Sequence, residues 1–318
     1  MKKFLSICLG LSALCVLFAL SHVTMCGAAP SMSEASVKFT DALNREVVID
    51  ETPQVVVSLM GSFAETWTLA GGELSGVTID AVEERNMDLG PTVRIVGSVK
   101  TPNLEEILDV DPDLVIMSAD IDGHVKAISV LEKAGITCAA FKVEVFSDYL
   151  NMLKLFTQIT GRNDLYQKNG VAVGKEIERV VSKVTDCVSR PTVLFLRAFS
   201  TGAKAKSDDN MTGAMLKDLN TDNIASRHTS LLESISMEEV IMEDPDYIFV
   251  VTMGSDSQKA LDALKKGIQS NPAWNGLSAV RNGRYIVLPR ELFHYKPNAR
   301  WGEAYEYLAE IIYPELFD

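Results

Sequence analysis

The stretch Leu104-Glu105-Glu106-Ile107-Leu108-Asp109-Val110-Asp111-Pro112-Asp113-Leu114-Val115-Ile116 recurs without a gap as Met237-Glu238-Glu239-Val240-Ile241-Met242-Glu243-Asp244-Pro245-Asp246-Tyr247-Ile248-Phe249. Each copy reads as a capped helix, a turn locked by Asp-Pro-Asp, and a strand buried on both faces. Two copies of this unit predict two similar α/β lobes facing each other across a cleft. A cleft between lobes suggests a binder.

Outward from the first copy, the β-branched run 55–59 reads as a strand. Strands at 74–79 and 94–97, a loop carrying Arg85, the repeat, a helix at 124–134 and a strand at 137–141 follow. Around the second copy come a strand at 192–196, a loop, a helix from Met211, a helix at 257–268, a strand at 284–288 and a last helix from Asn298 to about Ile312. Such alternation means parallel sheets with helices on both faces. Between the lobes Ser147-Asp148 can cap a helix bearing Tyr149, Met152, Leu153, Phe156 and Ile159. Gly161 interrupts it, and Ile177, Val180, Val181 and Val184 mark a second helical stretch.

The predicted fold is α/β: two Rossmann-like lobes with central parallel sheets, joined by a long connecting helix, with a ligand cleft between them. The expected divisions are a signal peptide over 1–28, an N-terminal lobe over 36–146, a connecting helical segment over 147–186 and a C-terminal lobe over 187–318. A helical connector resists bending, so modest lobe motion is expected. Val37-Lys38-Phe39 and Val47-Val48-Ile49 alternate around Asn44-Arg45-Glu46 as a β-hairpin, a lid pair and not a site.

At 318 residues and 47% hydrophobic content the chain can bury one large core or two ordinary ones, and the repeat favours two. A net charge of -13, with 30 basic against 43 acidic residues, argues against a nucleic-acid partner and suits a basic protein partner. Met1-Lys2-Lys3 and the apolar run 4–20 form an export signal. Val23-Thr24-Met25-Cys26 resembles a lipobox in which Cys26 is lipidated; a cut after Ala28 or Ala29 is the other reading. Gly27 suits lipidation, whereas Met25 is unusual before a lipidated cysteine. No later segment is apolar enough to span a bilayer. Cys138 and Cys187 suit small buried positions at least as well as a disulfide.

Asn103 and Ser236 occupy equivalent N-cap positions, which puts Glu106 and Glu239 at N3 to complete capping boxes. Glu105 and Glu238 then fall at N2, exposed at the same corner of each lobe, where they also favour the helix dipole. Enzyme signatures are missing. Ser62 in Met60-Gly61-Ser62-Phe63-Ala64 lacks the second glycine of a nucleophile elbow, and no dinucleotide or phosphate loop occurs. His124, His228 and His294 show no i, i+4 metal spacing.

The order Val56-Val57-Ser58-Leu59 with Ser62-Phe63-Ala64-Glu65, then Val96-Gly97-Ser98, Pro102-Asn103-Leu104-Glu105-Glu106 and Asp111-Pro112-Asp113 resembles the helical-hinge substrate-binding proteins of ABC importers. These bind ferric siderophores, haem and cobalamin. The resemblance implies that Glu105 and Glu238 dock on arginines of a membrane permease whose ATPase drives uptake. It implies a monomer without catalysis or intrinsic cofactor, its ligand a ferric siderophore or haem, with cobalamin or a free metal ion as the alternative. The membrane is met only through a lipid anchor. An exported hydrolase and a surface scaffold are more remote readings.

Ligand candidates lie on loops at the carboxyl ends of strands. Ser62 and the amides of the next helix start suit an anionic group, and Phe63 an apolar or macrocyclic one. Arg85 and Arg197 match carboxylates. Met87 is a weaker candidate, and Lys204 either belongs to a solvated run or holds an anion. His294 or Tyr295 is a candidate ligand to haem iron.

Overall fold

The computed structural model describes residues 36–317 except 186, 188 and 255. The signal segment, Cys26 and the Ala28 cut lie outside the described residues. Val37–Thr40 (β1) and Glu46–Ile49 (β2) pair antiparallel, with Val37 opposite Ile49. The buried Asp41 carboxylate fastens this hairpin, accepting from the amides of Leu43 (2.9 Å), Arg45 (3.0 Å) and Ala140 (3.2 Å).

Ala140 belongs to the first of two parallel sheets. That sheet contains Val56–Ser58 (β3), Gly76–Val77 (β4), Arg94–Ile95 (β5), Leu114–Ser118 (β6) and Thr137–Phe141 (β7), in the order β5-β4-β3-β6-β7. All five residues of β6 are buried, which is why the run carries no polar alternation. The second sheet contains Thr192–Phe199 (β8), Gly202–Ala205 (β9), Asp222–Asn223 (β10), Tyr247–Thr252 (β11) and Tyr285–Val287 (β12). Its path is β10-β8-β11-β12, all parallel, and β9 pairs antiparallel with β8. The sequence reading ended β8 at residue 196 and placed a loop after it. Instead the strand runs on to Phe199 and turns back, because β9 pairs with the half of β8 that lies beyond the two residues joined to β10.

The Asp-Pro-Asp turns do equivalent work in both lobes. Asp111 and Asp244 end their helices in the left-handed region, at φ 52° and 37°. Proline then blocks further helix. The second aspartate crosses to the neighbouring central strand: Asp113 accepts from the amides of Gln54 (2.8 Å) and Val55 (2.9 Å), and Asp246 from the amide and hydroxyl of Thr192 (2.8 and 2.9 Å). Each carboxylate sets where β3 or β8 begins against β6 or β11.

The helix starts are simpler than expected. Asn103 accepts from the amides of Glu105 (3.1 Å) and Glu106 (3.4 Å), and Ser236 from that of Glu239 (3.3 Å). Neither capping box closes. Arg94 takes the Glu106 carboxylate, and Ser230 and His228 take that of Glu239. An arginine or imidazole within reach outcompetes a single backbone amide for a carboxylate.

The connector comprises helices Phe146–Ile159, Asn163–Tyr166 and Ala172–Thr185, with a wide turn at Gln167–Val171. Asp148 lies inside its first helix and reaches back to the amides of Glu144 (2.9 Å) and Val145 (3.0 Å). The C-terminal helix Trp301–Ile312 packs along Ala172–Thr185. One continuous apolar core takes in Val56 and Ile116 of the first sheet, Tyr149 and Phe156 of the connector, and Phe195, Phe249 and Trp301 of the second lobe. Cys138 and Cys187 are free thiols, and burial pushes that of Cys138 up to about 12.

Replacing either crossing aspartate should therefore leave strand donors unpaired, two amides at Asp113 and the amide and hydroxyl of Thr192 at Asp246. Asp113→Ala and Asp246→Ala are each expected to lower unfolding free energy by about 1–3 kcal/mol with an unchanged denaturant slope. Urea titration followed by circular dichroism measures both.

Candidate functional site

Strand order reverses between β3 and β6 in one sheet and between β8 and β11 in the other, and the chain leaving those carboxyl ends builds the cleft walls. After β3 the helix Gly61–Leu69 begins. The Gly61 amide donates to Asp80 Oδ2 at 2.7 Å, and a Cβ on Gly61 would lie 2.7 Å from the Ala81 nitrogen, so only glycine allows this approach. The helix start offered to an anionic ligand by the sequence is thus already engaged by an internal carboxylate. Phe63 is also a correction: at 1% exposure it packs edge-on against Phe141 inside the core.

A chain of polar contacts ties the first lobe to the segment after β12. Asn298 Nδ2 donates to the Ser62 carbonyl (2.8 Å) and to Glu65 Oε2 (2.6 Å). Arg85 forms an ion pair with Glu65 and donates to the Lys296 carbonyl at 2.9 Å. Its side chain is only 8% exposed, and burial brings its pKa down to about 10. Tyr295 lies beside Glu84. Arg85, read from sequence as a ligand group, therefore spans from Glu65 to the Lys296 carbonyl of the other lobe. Ser62 is 4% exposed, and its hydroxyl lacks a protein partner. Met87 packs against Ala64, Val77 and Ala81, lining with Arg85 an open groove of about 600 Å³.

The opposite wall is cationic. Arg197 near the end of β8, Arg290 after β12, His294 and Lys296 are all half-buried. Arg197 donates to Asn210 Oδ1 (3.3 Å), and Arg290 to Ser257 Oγ (3.2 Å) and the Gly254 carbonyl, with its guanidinium 5.0 Å from the Tyr295 ring. Among the described residues, none of Arg197, Arg290 and Lys296 has a carboxylate within the 4.0 Å of an ion pair. Burial lowers the pKa of Arg197 and of Lys296. For His294, burial first and then Arg290, Arg197 and Lys296 depress the imidazole to about 4, so it is neutral at pH 7. Register places Lys204 opposite Arg197 on the β8–β9 pair, and residues so paired project to one face. Facing carboxylates are already served: Lys142 holds Asp120 (3.6 Å) and Glu144 (3.2 Å), and Asp148 caps its helix.

Arg290 and Lys296 were missed as site residues. The position of Arg290 directly after the last parallel strand was the available signal. His124 is wholly buried, its Nδ1 accepting from the Ser118 amide (2.9 Å) and its Nε2 donating to the Val99 carbonyl (2.6 Å). No group of three or more His, Cys, Asp or Glu able to hold a metal ion occurs among the described residues.

A sequence profile described as periplasmic binding protein matches residues 56–292. An uncharacterised ABC transporter substrate-binding lipoprotein of Bacillus subtilis is 26% identical over 296 residues, covering 88% of this chain and 87% of the relative. A Fe(3+)-citrate-binding protein of the same organism is 23% identical over 250 residues, covering 77% and 76%. A periplasmic heme-binding protein from Roseiflexus shares the fold with a TM-score of 0.66 at 21% identity, covering 82% of this chain and 98% of that one.

The depressed imidazole predicts a pH dependence. Between about 6.5 and about 4 the unfolded chain protonates His294 while the folded one does not, so stability falls as pH drops through that window. Melting curves at stepped pH should show this loss, and His294→Gln should remove part of it.

Proposed function

The chain belongs to the periplasmic binding protein family, and from that premise we propose that it is the extracytoplasmic substrate-binding protein of an ABC importer. It captures an anionic iron(III) complex, a ferric siderophore or haem, in the cleft and delivers it to the permease without covalent chemistry. One observation carries this reading: among the described residues, three half-buried cations of one wall, Arg197, Arg290 and Lys296, have no carboxylate within ion-pair distance. Half-buried positive charge without a counter-ion is costly, so such a wall is built for an anion. Arginine forks fit the carboxylates of citrate-type siderophores and of haem propionates alike. His294, neutral at pH 7, keeps a lone pair for haem iron.

Delivery is read from the other end of each lobe. Glu105 and Glu238 are exposed on equivalent helices, and neither carboxylate makes a hydrogen bond or ion pair among the described residues. They dock on basic pockets of the permease, while its ATPase supplies the energy. Export by the N-terminal signal, with Cys26 as lipid anchor, places the protein, a monomer, at the outer face of the cell membrane. No helix among the described residues is long and apolar enough to cross a membrane.

The test is a binding screen of the mature protein against ferric citrate, catecholate and hydroxamate ferric siderophores, haem and cobalamin, read by visible absorbance and thermal shift. An iron complex is expected to bind, and Arg197→Ala and Arg290→Ala are each expected to weaken it by about tenfold or more at an unchanged melting temperature. A Soret shift lost in His294→Ala would assign haem. Full affinity in the double arginine variant would defeat the anionic reading. Glu105→Lys with Glu238→Lys should leave ligand affinity intact and abolish uptake by cells.

A further inference from the structure

We infer that each docking face is an acidic and aliphatic pair, Glu105 with Leu108 and Glu238 with Ile241, and that the permease offers two basic pockets each bordered by an apolar wall. The inference rests on the docking reading above and adds to it the chemistry of the partner.

The two short helices present one buried side and one exposed side. Ile107 and Val240 are fully buried at equivalent repeat positions. On the outer side Leu108 is 39% exposed and Ile241 43%, each three residues after its unpaired glutamate and so on the same helix face. A single exposed aliphatic is ordinary. Here the same kind of side chain is exposed at the same repeat position beside the same unpaired acid in both lobes. An apolar neighbour that excludes water also strengthens an ion pair formed next to it, by lowering the local dielectric. Charge alone would have left that position to any polar residue.

The faces differ at one site. Met242 is 84% exposed, while its counterpart Asp109 pairs with Arg94. The C-terminal face is therefore the more apolar, which selects one orientation on a permease with two dissimilar halves and none on two identical ones. A second copy of this chain fits poorly, since a two-fold contact between like faces sets glutamate against glutamate. An anionic lipid surface would be repelled by the same charges.

The experiment uses the importer's permease and ATPase in nanodiscs of zwitterionic lipid, with this protein titrated from 50 to 500 mM NaCl. Leu108→Ser with Ile241→Ser is compared with Glu105→Gln with Glu238→Gln. We expect the serine pair to weaken binding on the order of tenfold at low salt and to lose the residual binding that wild type retains at high salt. Melting temperature and ligand affinity should not move. The glutamine pair should instead flatten the salt dependence. If the serine pair binds as wild type while the glutamine pair fails, the aliphatic inference is overturned and docking by glutamate stands. If both pairs bind as wild type, the docking reading itself falls. Loss of wild-type self-association in the serine pair, or of its binding to empty nanodiscs, would overturn the inference in favour of a second copy or a lipid surface.

Discussion

The lobes keep their relation because they share one apolar core. Phe146 at the start of the connector packs against both Tyr149 and Trp301 at the start of the last helix, with the Phe146 and Trp301 rings 5.9 Å apart at 68°. Each buried aromatic removes about 150–250 Å² from water, so parting the lobes here would expose several such surfaces at once. Gly302 lets the last helix lie close to the connector, where a Cβ would come 2.8 Å from that of Glu176. The cleft walls inherit their spacing from this contact.

Around that fixed core, polar groups divide into two kinds. Glu65 is held by both Arg85 and Asn298, linking the first lobe to the segment after β12. Arg197, Arg290 and Lys296 have no carboxylate within ion-pair distance among the described residues. Both sets are half-buried or better, and both contain arginine, so residue type does not separate a strut from a ligand group. Partner inventory does, because a buried charge needs a counter-charge from the protein or from something else.

The helix–turn–strand repeat was legible because its signals are local: a cap residue, a proline that ends a helix, an apolar run of strand length. The outward placement of Glu105 and Glu238 also followed from counting along a helix. The capping boxes failed since Arg94, Ser230 and His228 come from elsewhere in the chain and no local count includes them. Phe63 failed for a related reason: position after a strand suggested the cleft, but the side chain turned inward onto Phe141, which is distant in sequence. Arg85 was legible as a singular residue, but its partners were not, because Glu65 and the Lys296 carbonyl converge on it only after folding.

By itself the sequence determined two α/β units, their parallel strands, the helical connector and the paired outward glutamates. These depend on periodicity, capping and turn chemistry, which act within a few residues. Only the tertiary structure decided which charges meet a counter-charge and which do not. Arg197 comes from the end of β8, and Arg290 and Lys296 from the segment after β12, while Glu84 and Tyr295 are more than two hundred residues apart. Their electrostatic balance is a property of distances in space, which one strand register and one shared core fix together.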